Sequence, residues 1–163
     1  MPQAPYTIAP VRAAADLADA LALFTSYATS LGVDLAYQGF ADELATLPGK
    51  YAPPGGELLL ARAADGAPLG CVALRPLDPP GCCEMKRLYV APRARGLGLG
   101  RALAVAIVDA AERIGYREIR LDTLPSMDEA IGLYRILGFA PIAPYYDTPV
   151  AGTLFLAKRL RGS

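Results

Sequence analysis

The chain contains no histidine and no tryptophan. Without an imidazole, no Ser–His–Asp triad or histidine base can operate. Acid–base work falls instead to carboxylates, tyrosine, lysine, cysteine or water. Cysteine is scarce: Cys71, Cys82 and Cys83 make three, an odd number with two of them adjacent. That pattern supports no disulfide framework, and no paired spacing offers a zinc or other metal site. The cysteines are expected as small core residues. An excess of charge is missing too, since Lys+Arg and Asp+Glu are both 16. No global field draws the chain to nucleic acid or to an anionic membrane, so any anion site must be local. No run approaches the roughly 18 apolar residues of a membrane span. Met1-Pro2-Gln3-Ala4-Pro5 lacks the basic-then-apolar pattern of a secretory leader, and a cytoplasmic protein is the default expectation.

What is present suits one folded unit. The 163 residues are 53% hydrophobic and 20% charged, a length and composition for a single domain over residues 1–163. Tyr6-Thr7-Ile8 reads as a first strand. Leu17, Leu21, Phe24, Ala28 and Leu31 recur at helical spacing, with Gly32 as a C-terminal cap. Phe40 to Leu47 reads as a second short helix. Glu57 to Arg62 and Leu69 to Leu77 read as a hairpin about Asp65-Gly66. Cys82 to Val90 is a further strand, Gly98 to Ile114 a helix closed by Gly115, and Arg117 to Thr123 a strand. Ser126 and Glu129 stand at capping-box spacing before a helix that runs to about Leu137. Thr153 to Leu160 is the last strand. Strands with interleaved helices predict an α/β (α+β) fold, a mixed sheet with helices on both faces.

The densest chemical signal is the run from Val90 to Arg101, between a strand and a helix. Gly96, Gly98 and Gly100 alternate, so a ligand can approach the main chain closely. The first N–H groups of the following helix have no internal partner and favour an anion. Five basic residues and no acidic one lie between Lys86 and Arg101, a local excess suited to a diphosphate. A Walker loop would need Gly-Lys-Ser/Thr, which is absent. A dinucleotide fingerprint would need glycine where Arg101 stands.

Arg95-x-x-Gly98-x-Gly100 resembles the R/Q-x-x-G-x-G/A motif of the GNAT superfamily of N-acetyltransferases, and Leu88-Tyr89-Val90-x-Pro92 resembles that family's strand ending. Ala130-x-x-Leu133-Tyr134-x-x-x-Gly138-Phe139 resembles a second segment of the same family, in the family's order. The resemblance spans about Cys82 to Leu160. It implies a single domain with a mixed, mostly antiparallel sheet of six to seven strands. It also implies a coenzyme A pyrophosphate on Arg95, Gly96, Leu97, Gly98, Leu99, Gly100 and Arg101, and a pantetheine arm beside Leu88, Tyr89 and Val90. Acetyl-CoA is then the acyl donor, and Tyr134 lies near the sulfur and protonates the leaving thiolate. The position three before Ala130 often carries asparagine in the family and is Met127 here.

Direct attack on a thioester needs a neutral amine, so something must remove a proton. Glu84, on the strand leading to the loop, is the first candidate base; its alternative role is an ion pair with Lys86 two residues on. Asp122, at the end of its strand, is the second. Tyr37, Tyr51, Tyr145, Tyr146 and Asp147 are candidates for the acceptor groove, with aromatic faces suited to a cation. The expected reaction is acetyl transfer to a primary amine of a small molecule or peptide. Two rivals are a non-catalytic acyl-CoA-binding sensor and a nicotinamide-dependent oxidoreductase with Asp122 on the ribose. Apolar edge segments are compatible with a homodimer.

Overall fold

The computed structural model describes residues 5–32 and 34–161. The leader reading at Met1–Ala4 and the Tyr37 side chain, assigned above to the acceptor groove, lie outside the described residues. Seven strands form one sheet: β1 (Tyr6–Pro10), β2 (Glu57–Ala63), β3 (Pro68–Leu77), β4 (Cys82–Val90), β5 (Glu118–Thr123), β6 (Ala140–Pro141) and β7 (Leu154–Arg159). Their spatial order is β1-β2-β3-β4-β5-β7-β6. Every neighbouring pair is antiparallel except β4 and β5, which run parallel. The helices are α1 (Ala14–Leu31), α2 (Phe40–Ala45), α3 (Leu99–Ile114) and α4 (Asp128–Ile136).

Alternation along the strands builds a core on each face of the sheet. Leu59, Val72, Leu74, Cys83, Met85, Ile119 and Leu121 pack with Leu103 and Ile107 of α3 and Tyr134 of α4. Leu58, Leu60, Cys71 and Ala73 point the other way, onto Ala20, Leu23 and Phe24 of α1. All three cysteines are buried and free. Gly32 and Gly115 end α1 and α3 in the left-handed conformation, which costs glycine little.

The capping box expected at Ser126 does not form. Met127 donates to the Leu124 carbonyl in a turn, so Met127 takes the N-cap position and no side chain caps α4. Glu129 thereby falls one residue too early to reach back to the cap. The two-residue β6 carries no periodic signal, and its residues are exposed.

One irregularity shapes the molecule. Cys71 pairs with Tyr89 and Ala73 with Lys86, so Arg87 and Leu88 together oppose Val72. Arg87 has φ of 60°, a left-handed conformation rare outside glycine. This is a β-bulge, and it shifts the side-chain alternation of β4 by one. Glu84, Lys86, Arg87 and Tyr89 consequently share the face toward α1 and α2, while Leu88 and Val90 turn to the α3 side. Sheet pairing between β4 and β5 stops at Glu84 and Arg120. Beyond that point the strands part, and β4 has no partner strand on its β5 side.

Candidate active site

The parting strands open a cleft of about 660 Å³. Leu88, Tyr89 and Val90 form one wall, Arg95, Gly96, Gly98 and Gly100 the mouth, and Ser126 to Ala130 with Leu133 the other wall. At the loop, Gly96 and Gly98 have φ of 86° and 73°, and an added Cβ at either would meet open space. Among the described residues, the amides of Gly96, Leu97 and Gly98 donate to no backbone carbonyl. The first i→i−4 bond of α3 is made by Ala102 to Gly98, so the Leu99, Gly100 and Arg101 amides precede the helical ladder. The Leu99 side chain is buried in the core, so only its backbone faces the mouth, whereas Leu97 is exposed.

The basic excess counted in the sequence is divided by the fold. Lys86 and Arg87, midway along β4, turn to the face toward α1 and α2 and are buried. The Arg93 guanidinium donates to the Pro68 carbonyl. Arg93 is exposed as well but engaged, so Arg95 and Arg101 are the exposed guanidinium groups of the five without a hydrogen bond to any described residue. The anion-binding capacity therefore rests mainly on backbone N–H groups and the start of α3, with two guanidinium groups in support.

Deeper between the strands, the cleft continues into a recess of about 30 Å³, lined by Lys86, Leu88, Asp122, Thr123, Tyr134 and Tyr27, among others. Tyr134 is buried at 6% exposure, packed at a tilt of 58° against Phe139, and its hydroxyl has no hydrogen-bond partner among the described residues. Burial, with smaller contributions from Tyr27 and Asp122, pushes its phenol pKa well above the ordinary value. The Thr123 Oγ1 is also buried without a partner.

A network of ion pairs floors the face toward α1. Arg75 donates to Glu84 Oε1 at 2.7 and 2.8 Å, and the Tyr145 hydroxyl donates to Glu84 Oε2 at 2.6 Å. Burial alone would raise the Glu84 carboxyl, but the charges of Lys86 and Arg75 and the Tyr145 hydroxyl hold it below the usual carboxylate range. Arg87 binds Glu43 of α2 through two hydrogen bonds, at 2.8 and 2.9 Å, and reaches Gln38. The Tyr146 hydroxyl donates to Asp122 Oδ2 at 2.6 Å. Burial lowers the Lys86 ammonium pKa, a shift that Glu84 and Asp122 oppose.

The structure thus brings Tyr134, Asp122 and Lys86 to one recess. Glu84 lies beside them, fully engaged with Arg75 and Tyr145. Tyr145 and Tyr146 reach the network from the loop before β7, edge to face with Phe155. Tyr51 is buried against Phe24 away from the cleft, and Asp147 is exposed. The Glu84–Lys86 pairing is the alternative role that the sequence offers for Glu84, from their alternation along the strand; Arg87 as a member of this network escaped the sequence reading, because the bulge that sets its direction has no sequence signature.

A strand pair that opens beside unpaired amides, with a phenol at the bottom, is the arrangement that the resemblance to the GNAT superfamily implies. Residues 21–139 match the family model for the Acetyltransferase (GNAT) family. The chain is 43% identical over 150 residues to an uncharacterized N-acetyltransferase of Schizosaccharomyces pombe, with 92% of each covered. It is 32% identical over 138 residues to N-acetylaspartate synthetase of Rattus norvegicus, covering 82% of this chain and 46% of that one. A Klebsiella pneumoniae crystal structure, described as an acyl-CoA N-acyltransferase, superposes with a TM-score of 0.75 at 28% identity, covering 97% and 99% of the two chains. The chain belongs to the GNAT family and is an N-acetyltransferase. The mixed, mostly antiparallel sheet of seven strands with helices on both faces is the fold expected from the resemblance.

Proposed function

We propose that the protein transfers acetyl from acetyl-CoA to the primary amine of a small molecule, with Tyr134 and Asp122 handling the protons. The observation that carries this reading is the continuity of the cleft: unpaired amides from Gly96 to Arg101 at its mouth, and the unpartnered Tyr134 hydroxyl at its closed end. Loop amides with Arg95 and Arg101 would hold the pyrophosphate, and the unpaired edge of β4 at Leu88 to Val90 would hold the pantetheine arm. When bound, the donor supplies a thioester carbonyl at which the amine displaces the thiol, so a C–N bond forms as the C–S bond breaks.

Asp122 Oδ1 is suited to take the proton the amine sheds, directly or through water, because Tyr146 binds the other oxygen. Glu84 serves better as a positioning residue, since both its oxygens accept hydrogen bonds and its basicity is reduced. Tyr134 would give its proton to the departing sulfur. The raised phenol pKa means that Tyr134 carries its proton at neutral pH, the form a general acid needs. One relative's name, N-acetylaspartate synthetase, records a small acetylated product, which supports a small acceptor.

Thiol release from acetyl-CoA, measured across a panel of small amines and short peptides, tests the reading. Acetylated small amines, identified by mass spectrometry, are expected. A donor that binds but never releases thiol with any acceptor would favour a sensor instead.

A further inference from the structure

We propose that the acceptor is a free α-amino acid, held as its zwitterion between Lys86 and Asp122. The inference rests on the acetyl-transfer reading and specifies its amine. Lys86 has a side chain only 5% exposed, and it lines the same recess as Tyr134. Its ammonium carries three donors, yet it makes no hydrogen bond to any described residue. The nearest carboxylate oxygens are Asp122 Oδ1 at 3.8 Å and Glu84 Oε1 at 4.0 Å, beyond hydrogen-bond length.

The neighbouring charges are matched. Arg75 holds Glu84, and Arg87 holds Glu43 at two points. Tyr146 occupies Asp122 Oδ2 and leaves Oδ1 toward Lys86. Lys86 thus pairs with both carboxylates only at long range, and its ammonium retains donors that no described residue takes. A ligand that offers a carboxylate to Lys86 and an ammonium to Asp122 satisfies both.

Charge balance narrows the class further. Arg75, Lys86 and Arg87 face Glu43, Glu84 and Asp122, so the buried cluster sums to zero. A simple alkylamine would enter as an uncompensated cation, and a peptide N-terminus would bring no adjacent carboxylate. A zwitterion leaves the sum unchanged. The short separation of Lys86 and Asp122 suits an amine and a carboxylate borne on one carbon.

The test compares α-amino acids with their decarboxylated amines and methyl esters, by thiol release from acetyl-CoA. At least one amino acid is expected to exceed both of its analogues by about a hundredfold in kcat/KM, the scale of a buried charge-assisted hydrogen bond. Lys86→Met should bring acid and analogues within about threefold of one another while leaving coenzyme A affinity, measured by calorimetry, unchanged. Analogues as good as the acids, or a preference that survives Lys86→Met, would overturn the proposal. If Lys86→Met does not fold, the wild-type comparison decides alone. If no acceptor turns over, calorimetry of amino acids with the coenzyme A-bound protein decides: binding that exceeds the methyl esters' supports it, and no such excess overturns it. Transfer to peptides or simple amines but not amino acids would sink this inference alone, whereas failure to bind acetyl-CoA would sink the reading beneath it.

Discussion

Tyr145 donates a 2.6 Å hydrogen bond to Glu84 across 61 residues of sequence. The loop before β7 is thereby tied to the buried end of β4, on the face where the acceptor would lie. Tyr146 repeats the arrangement with Asp122. Two adjacent phenols thus hold two carboxylates on neighbouring strands.

Removing that tie has a signed pH dependence. Glu84 is held below the ordinary carboxylate range, so its interactions stabilise the fold above the unfolded pKa of about 4.3 and are lost as pH falls through the folded value. Tyr145→Phe should therefore cost about 1–2 kcal/mol at pH 7, and less as Glu84 becomes protonated. Urea unfolding at pH 7 and near pH 3 checks this; an equal loss at both would separate the Tyr145 effect from Glu84 ionisation.

Tyr134→Phe keeps the ring and its contact with Phe139 while deleting only the hydroxyl. Turnover should fall about a hundredfold, the lower range for a general acid, with coenzyme A affinity within about twofold of wild type. Thiol-release kinetics and calorimetry read the two separately. Unchanged turnover removes Tyr134 from the chemistry.

Two neighbouring arginines should behave differently. Arg95 lines the cleft mouth, whereas Arg93 is spent on the Pro68 carbonyl. Arg95→Ala should weaken coenzyme A binding about five- to tenfold at low salt, and less at high salt. Arg93→Ala should leave it unchanged. Titrations at two ionic strengths distinguish them.

Arg87 is 2% exposed at its side chain and pairs with Glu43 through two bonds. Arg87→Met alone strands a buried carboxylate and should cost about 3–5 kcal/mol. Adding Glu43→Gln should recover part of that loss, because the buried charge goes with its partner. Chemical denaturation of the single and double variants measures the recovery, and an additive loss would argue against the pair.

Much of this was legible in the chain. Cys82 to Val90 is free of breakers and is a strand over that whole span. Asp65-Gly66 turns the β2–β3 hairpin, and Gly98 and Gly115 bracket α3. The strand–loop–helix order around residues 96–100 and the helix that carries Tyr134 could be read because their signals are local in sequence. The ion network could not, because its contacts join residues up to 61 apart. The direction of Arg87 depends on its own left-handed conformation, which sequence does not announce. Ser126 misled for a related reason: the spacing to Glu129 fits a capping box, but the turn at Leu124–Met127 moves the helix start one residue on.

The bulge at Arg87 and the short β4–β5 pairing also bear on cohesion. The first four strands and the last three meet in only three residue pairs, Cys82 to Glu84 with Glu118 to Arg120. A molecule seated in the gap would touch both halves and act as mortar between them. Bound coenzyme A would then add to the cohesion of the two halves, and its release would loosen the joint between them.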